Sequence, residues 1–241
     1  MAITTAPERG GRTEHRRYLA LIAVLTAALV LALIGVAVLV DSGGSSSNGI
    51  QGSGAAVSQA RTVASFTGLD LAGSNDVTVI VGAPQSVVVH ADSNLINHVT
   101  TGVVAGTLVI GNTGSFTART PMKVTVSVPS LTALSLSGEG KISVTGINAA
   151  QLTVTVSGSG LLDAAGTATR LDVTLSGEGQ AQLSGLTARD VHAVVTGSGL
   201  IEVTATTSLD AAVPGDGSIT YAGNPPQVTT SVTGTGSIAR G

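Results

Sequence analysis

The sequence predicts an all-β protein, a right-handed parallel β-solenoid with rungs of about 19 residues, preceded by a single transmembrane helix. Three observations carry that expectation. A Gly-x-Gly turn returns six times at a nearly constant interval, apolar and polar residues alternate on both sides of it, and an uncharged run of 23 residues lies near the N-terminus.

Residues 1–17 carry Arg9, Arg12, Arg16 and Arg17 against Glu8 and Glu14, whereas Asp41 opens the segment beyond the apolar run. The run itself, residues 18–40, is about 34 Å long as a helix, enough to cross a bilayer. The positive-inside rule places residues 1–17 in the cytoplasm and everything beyond residue 41 outside, so the lipid bilayer is an expected partner through residues 18–40. A cleaved signal peptide would have a shorter apolar core and a small-residue cleavage site, and neither is present. Ala23 with Ala27, and Ala28 with Ala32, have the spacing that lets two such helices approach closely, one route to self-association. Residues 41–60 hold eleven Gly or Ser in twenty positions and read as a flexible linker.

The charge and composition set further bounds. An apolar fraction of 43% with 10% charged residues belongs to a folded chain, and the 32 glycines beside only two Tyr, two Phe and no Trp point to a core filled by aliphatics in small repeated increments. Zero cysteines exclude a disulfide framework, thiolate-ligated zinc and a thiol nucleophile. The formal charge of -3, with no basic cluster, excludes nucleic acid as a partner class. Beyond residue 40 there are seven Lys plus Arg and twelve Asp plus Glu, so attraction to acidic polymers by charge alone is also disfavoured.

Residues 61–130 are expected to form the first rungs and an N-terminal cap, with strands at SFTGLDLA, DVTVIVG, QSVVVHA, GTLVIGN and MKVTVSVP. Within ADSNLINHV a short helix capped by Asp92 or Ser93 is expected.

Residues 131–241 are the repeat. The turn glycines pair as Gly138 and Gly140, Gly158 and Gly160, Gly177 and Gly179, Gly197 and Gly199, Gly215 and Gly217, and Gly234 and Gly236. Two positions before each turn stand Leu136, Val156, Leu175, Val195, Val213 and Val232, and beyond it Ile142, Leu162, Ala181, Ile201, Ile219 and Ile238. Period two with one apolar face is a half-buried strand, and a unit this small buries its apolar face only by stacking on its neighbours. Stacked corners with positive φ and close backbone approach account for the glycine, which recurs in a second column at Gly146, Gly166, Gly185 and Gly223.

The order FTGLDLAGSNDVTVIVG, SVVVHADSNLINHV, GTLVIGN, PMKVTVSVPSL and the LSLSGEG-type turns resembles the autotransporter adhesin head GIN domain family over residues 62–238. The resemblance implies a bacterial, extracytoplasmic β-solenoid with an inferred adhesive role and no established catalytic residues. A true autotransporter has a C-terminal membrane barrel; here the N-terminal anchor is expected to stand in its place.

Stacking converts sequence columns into ladders, each of which is a candidate site. Inside the turns, Glu139, Ser159, Glu178, Ser198, Asp216 and Thr235 alternate acid with hydroxyl, unlike calcium-binding solenoids with an Asp in every short repeat. Five positions before the turns, Ala133, Thr153, Asp172, His192, Asp210 and Thr229 place an imidazole between two carboxylates. Asp172, His192 and Asp210 are the one candidate for a weak metal site or pH-sensitive patch, set against an exposed ladder in which unlike charges meet. Asp163 and Glu202, two rungs apart, have a spacing open to an inverting glycosidase pair, but almost no aromatic platform accompanies them. His90 and His98 read as ordinary polar groups. Catalytic, cofactor and structural-metal residues are therefore expected to be absent, and the chain reads as a membrane-anchored surface protein that binds an envelope polymer or protein noncovalently. A sensory ectodomain working through a membrane partner is the alternative, and a polysaccharide-acting enzyme the third reading. The final GTGSIARG forms an incomplete rung whose open edge invites strand addition or dimerisation.

Overall fold

A computed structural model describes residues 49–241. The expected cytoplasmic tail, the transmembrane segment 18–40 and the start of the linker lie outside these residues. Among the described residues no helix is long and apolar enough to cross a membrane.

The strands are β1 (Ile50–Gln51), β2 (Ala56–Ala60), β3 (Gly68–Leu71), β4 (Asp76–Val81), β5 (Ser86–Asp92), β6 (Val99–Val104), β7 (Thr107–Asn112), β8 (Phe116–Thr117), β9 (Lys123–Val128), β10 (Ala133–Leu136), β11 (Lys141–Val156), β12 (Leu161–Leu175), β13 (Gln180–Val195), β14 (Leu200–Val213), β15 (Ser218–Ala222), β16 (Gln227–Val232) and β17 (Ser237–Arg240). They build a β-solenoid of about five turns with nearly no helix. Two parallel ladders wind together. One runs β7, β3, β10, then the second halves of β11 to β14, and ends on β16; the other runs β9, β4, then the first halves of β11 to β14, and ends on β15 and β17. Each of β11 to β14 serves both ladders because it bends round the corner opposite the Gly-x-Gly turn.

Alternation places one apolar set inside. Leu134, Val154, Val173, Ala193 and Ala211 form one buried column, and Ile142, Leu162, Ala181, Ile201 and Ile219 another. Phe66 is the one aromatic in the core among the described residues, as expected for a narrow interior filled by aliphatic ladders.

The turns stack as predicted, and of the two reasons expected for their glycines only close backbone approach holds. None of the Gly-x-Gly glycines has a positive φ. What excludes a side chain is the rung beneath: a Cβ on Gly158 would meet the carbonyl oxygen of Gly138, one on Gly177 that of Gly158, and one on Gly197 that of Gly177. Positive φ belongs to the other corner, at Gly146 (81°), Gly166 (141°) and Gly223 (92°). The stack starts earlier than the repeat, with Ala72 to Asn75 as its first turn, against which Gly138 and Gly140 rest. Asn75 is buried there and exchanges two hydrogen bonds with Asn112, at 3.1 and 3.2 Å.

The cap differs from expectation in three respects. Strands β7 and β9 follow β3 and β4 in sequence yet stack beneath them, so the first layer is out of chain order. The layer is closed by antiparallel strands, β6 on β7 and β5 on β9, with β2 added to β5. The expected linker therefore does not extend to residue 60, because β1 (Ile50–Gln51) pairs with β8 and β2 (Ala56–Ala60) with β5. The helix expected in ADSNLINHV shrinks to one 3-10 turn at Ile96–His98, and neither Asp92 nor Ser93 caps it.

Asp92 has another task. Its buried carboxylate accepts backbone N–H bonds from Gly54 (2.7 Å), Arg119 (2.8 Å) and Thr120 (3.1 Å), clasping the N-terminal strands to the cap. Desolvation pushes this carboxyl up, but the donors from Arg119, Thr120 and Gly54 outweigh it and hold its pKa below the ordinary value. A depressed folded-state pKa means that the clasp is fully stabilising above the unfolded-state pKa, about 3.9, and is lost as pH falls through the lower folded value. Hydrogen-exchange protection factors at Gly54, Arg119 and Thr120, referred to the intrinsic rate at each pH, should accordingly stay high at neutral pH in the native protein and fall only as the pH drops below the unfolded-state pKa and through the lower folded value. In Asp92→Asn they should be low already at pH 7, and equal protection in the two proteins would refute the clasp.

Candidate functional site

The ladder at Asp172, His192 and Asp210 forms in the register expected, with Thr153 and Thr229 as its neighbours. Its members do not converge on one point. Arg170 grips Asp172 through two bonds of 2.9 and 2.8 Å, Gln151 adds a third at 3.2 Å, and His192 Nδ1 lies 3.2 Å from Asp210. The adjacent column, Gln151, Arg170, Asp190 and Ser208, supplies these partners, and Ser208 Oγ donates to Asp190 at 2.7 Å. Among the described residues no three acidic or imidazole groups come together to hold a metal ion. The array is a solvated surface on which unlike groups meet, worth tenths of a kcal/mol per pair.

The other sequence candidates are equally local in their bonding. In the turn column Thr235 Oγ donates to Asp216 at 2.8 Å. Asp163 and Glu202 stand on one outward column with Gln182 between them, about 9.6 Å apart at two rungs of 4.8 Å. That column faces outward, and neither carboxylate lines a concavity described below. His90 Nδ1 bonds the Ser58 hydroxyl at 2.7 Å, and His98 bonds the Thr113 carbonyl at 2.8 Å while its ring packs against Phe116.

A feature missed by column counting lies at the corner opposite the turns. There Asn148, Thr167, Thr187 and Thr204 stack in one ladder, with Ala149, Ala168, Ala188 and Ala205 beside them. Alanine at this corner leaves room, and two adjoining depressions of about 270 and 630 Å³ follow it from Leu131 and Thr132 to Thr206, with Thr169 and Arg189 on the rim. The result is a shallow furrow with an apolar floor and hydroxyl and amide edges repeating once per rung. Its lining offers hydroxyl and amide groups for hydrogen bonding and alanine methyls for apolar contact. The signal in the sequence is the recurring Asn-Ala, Thr-Ala-Thr, Thr-Ala-Arg and Thr-Ala-Thr. It escapes a fixed period because the strand register shifts at this corner, between Asp163 and Gly166 and again between Leu183 and Thr187.

The described residues thus form a β-solenoid with solvated outer ladders and a shallow furrow along one corner. The chain belongs to the family described as "Putative auto-transporter adhesin, head GIN domain", whose model matches residues 65–225. The fold is shared with a "putative adhesin" from Bacteroides fragilis NCTC 9343, at 24% identity and a TM-score of 0.67, covering 80% of this chain and 100% of that one. A "putative lipid binding protein" from Parabacteroides distasonis ATCC 8503 is similar at 23% identity and a TM-score of 0.51, covering 80% and 99%. A "putative adhesin" from Parabacteroides merdae ATCC 43184 is similar at 19% identity and 0.51, covering 80% and 98%. No curated protein matches the chain in sequence.

Proposed function

We propose that this chain is a non-catalytic, membrane-anchored surface protein whose solenoid, coiled in the right-handed sense usual for parallel β connections, binds an extended envelope polymer or protein strand along the corner furrow. The observation that carries the reading is the furrow itself. It runs along the stacking direction, so a ligand lying in it meets the same pair of groups, a hydroxyl or amide and a methyl, at every rung of about 4.8 Å. Affinity then grows by repetition instead of by one deep pocket, which suits linear polymers. The uncharged apolar run at residues 18–40 supports anchoring in a bilayer, and the arginines within residues 1–17 support a cytoplasmic N-terminus. The adhesin designation of the family supports the same reading.

The test is co-sedimentation of the full chain with isolated cell envelopes and insoluble wall polymer. Asn148→Ala, Thr167→Ala and Thr187→Ala together should weaken retention at least tenfold, since three exposed hydrogen-bonding side chains at about 0.5–1.5 kcal/mol each are removed. The same number of substitutions on the opposite ladder, Ser143→Ala, Gln182→Ala and Thr220→Ala, should leave retention unchanged. If both triple variants bind as well as the native protein, the furrow is not the binding surface.

A further inference from the structure

The two ends of the solenoid are built differently. At the N-terminal end, antiparallel β6, β5 and β2 cover the last parallel layer. Among the described residues, β16 and β17 at the other end have a neighbour on one side only. Their inward side chains are correspondingly bare: Val228 and Val232 are 45% and 44% exposed, while Leu209 and Val213, one rung earlier in the same columns, are 2% and 0% exposed. Strand β16 reads QVTTSV, with no charge and no proline to guard its edge.

The free backbone groups can be assigned. The N–H of Thr233 donates to the Val213 carbonyl at 3.1 Å, so by the alternation of a strand the amides of Thr229 and Ser231 also face β14. Those of Val228, Thr230 and Val232 face outward, from the same residues whose side chains face the core column. We propose that a second copy of this chain docks here, β16 against β16, antiparallel about a two-fold axis through Thr230. In that register Thr230 lies opposite Thr230 of the second copy and Val228 lies opposite Val232 in both directions. All three outward-facing residues become hydrogen-bonded pairs, six backbone bonds in total, and the four valines close over the exposed columns from both sides. No like charges meet anywhere along the strand. An isologous contact of this kind stops at two, whereas head-to-tail stacking on the covered N-terminal end would have to displace β2 and β6. Six residues a side is far below the roughly 800 Å² per partner of a standard stable interface, so the pairing is weak and forms where the local concentration is high.

The absence of cysteine in the chain gives a direct test. Directly opposed residues of a hydrogen-bonded antiparallel pair have Cα atoms about 5.5 Å apart, inside the range a disulfide spans. Mild oxidation of the concentrated full-length Thr230→Cys protein should yield at least tenfold more disulfide-linked dimer than Thr155→Cys, which sits on the same ladder in mid-solenoid. Adding Val228→Lys and Val232→Lys should return Thr230→Cys to the control level while far-ultraviolet circular dichroism stays native. Dimer no more abundant with Thr230→Cys than with Thr155→Cys, or dimer that survives the two lysines, would overturn the proposal.

Discussion

Gly177→Ala is expected to lower the melting temperature of the solenoid by roughly 4–12 °C, although it adds only one methyl group at a turn. The added Cβ would meet the Gly158 carbonyl oxygen and lie 2.8 Å from the Ser157 carbonyl carbon, and both are backbone atoms of a rung that is itself fixed by the rung beneath. Relief requires separating rungs whose ladder bonds set their spacing, so the cost falls at the upper end of overpacking, about 3 kcal/mol. The loss of chain entropy from the unfolded state offsets about 0.4–1 kcal/mol of this. A net of about 2–3 kcal/mol gives the stated shift for a unit of this size. Gly102→Ala is the matched control, because Gly102 is exposed in β6, has no positive φ and has nothing within 4 Å of its added Cβ. There only the unfolded-state effect acts, and the melting temperature should hold or rise slightly. If the two substitutions prove equally costly, close stacking is not what demands glycine in the turn column.

Leu171→Ala is expected to cost about 2–5 kcal/mol, read from the denaturant midpoint at unchanged slope. Leu171 is fully buried, in a column with Leu152 before it and Val191 and Leu209 after it. Removing its three outer carbons leaves a void that rungs held at fixed spacing cannot collapse to fill. Val228→Ala, the last position of the same column, should change stability by less than about 0.5 kcal/mol, since half of that side chain is already in water. The contrast tests whether stability resides in nearest-neighbour stacking, as expected of a solenoid. Equal costs in the interior and at the last position of the column would contradict it.

The repeat region is legible because its determinants are short-range and periodic. Alternation fixes which residues of β11 to β14 face inward, and the turn interval fixes which residues stack, so the columns through Ala133 and through Leu134 can be written down from sequence and recur in the structure residue for residue. The register fails only where a rung gains or loses a residue. That happens at the corner between Val144 and Ile147 and at its equivalents, and the furrow lies there; its Thr-Ala triplets are visible in the sequence but slip out of phase with the turns.

The polar candidates divide in the same way. The sequence places Asp172, His192 and Asp210 on one ladder, but it does not tell that Arg170, two residues away on the adjacent column, would engage the first carboxylate. That choice depends on the reach of a long side chain across the sheet, which no column alone encodes. Likewise Asp92 reads as a helix cap from its local sequence, and only the return of residues 54, 119 and 120 from distant parts of the chain converts it into a clasp.

By itself, then, the sequence determines the solenoid, its rung length and its aliphatic interior, since all of these follow from period, alternation and composition. Tertiary structure alone decides that β7 and β9 slide beneath β3 and β4, that residues 50–60 join the cap, that positive φ has no part in the turn glycines, and that one end is covered while, among the described residues, the other has no further strand. These are questions of which edge meets which edge. Every strand edge presents the same backbone donors and acceptors, so the choice among edges rests on long-range packing and on loop closure, for which a local pattern has no term.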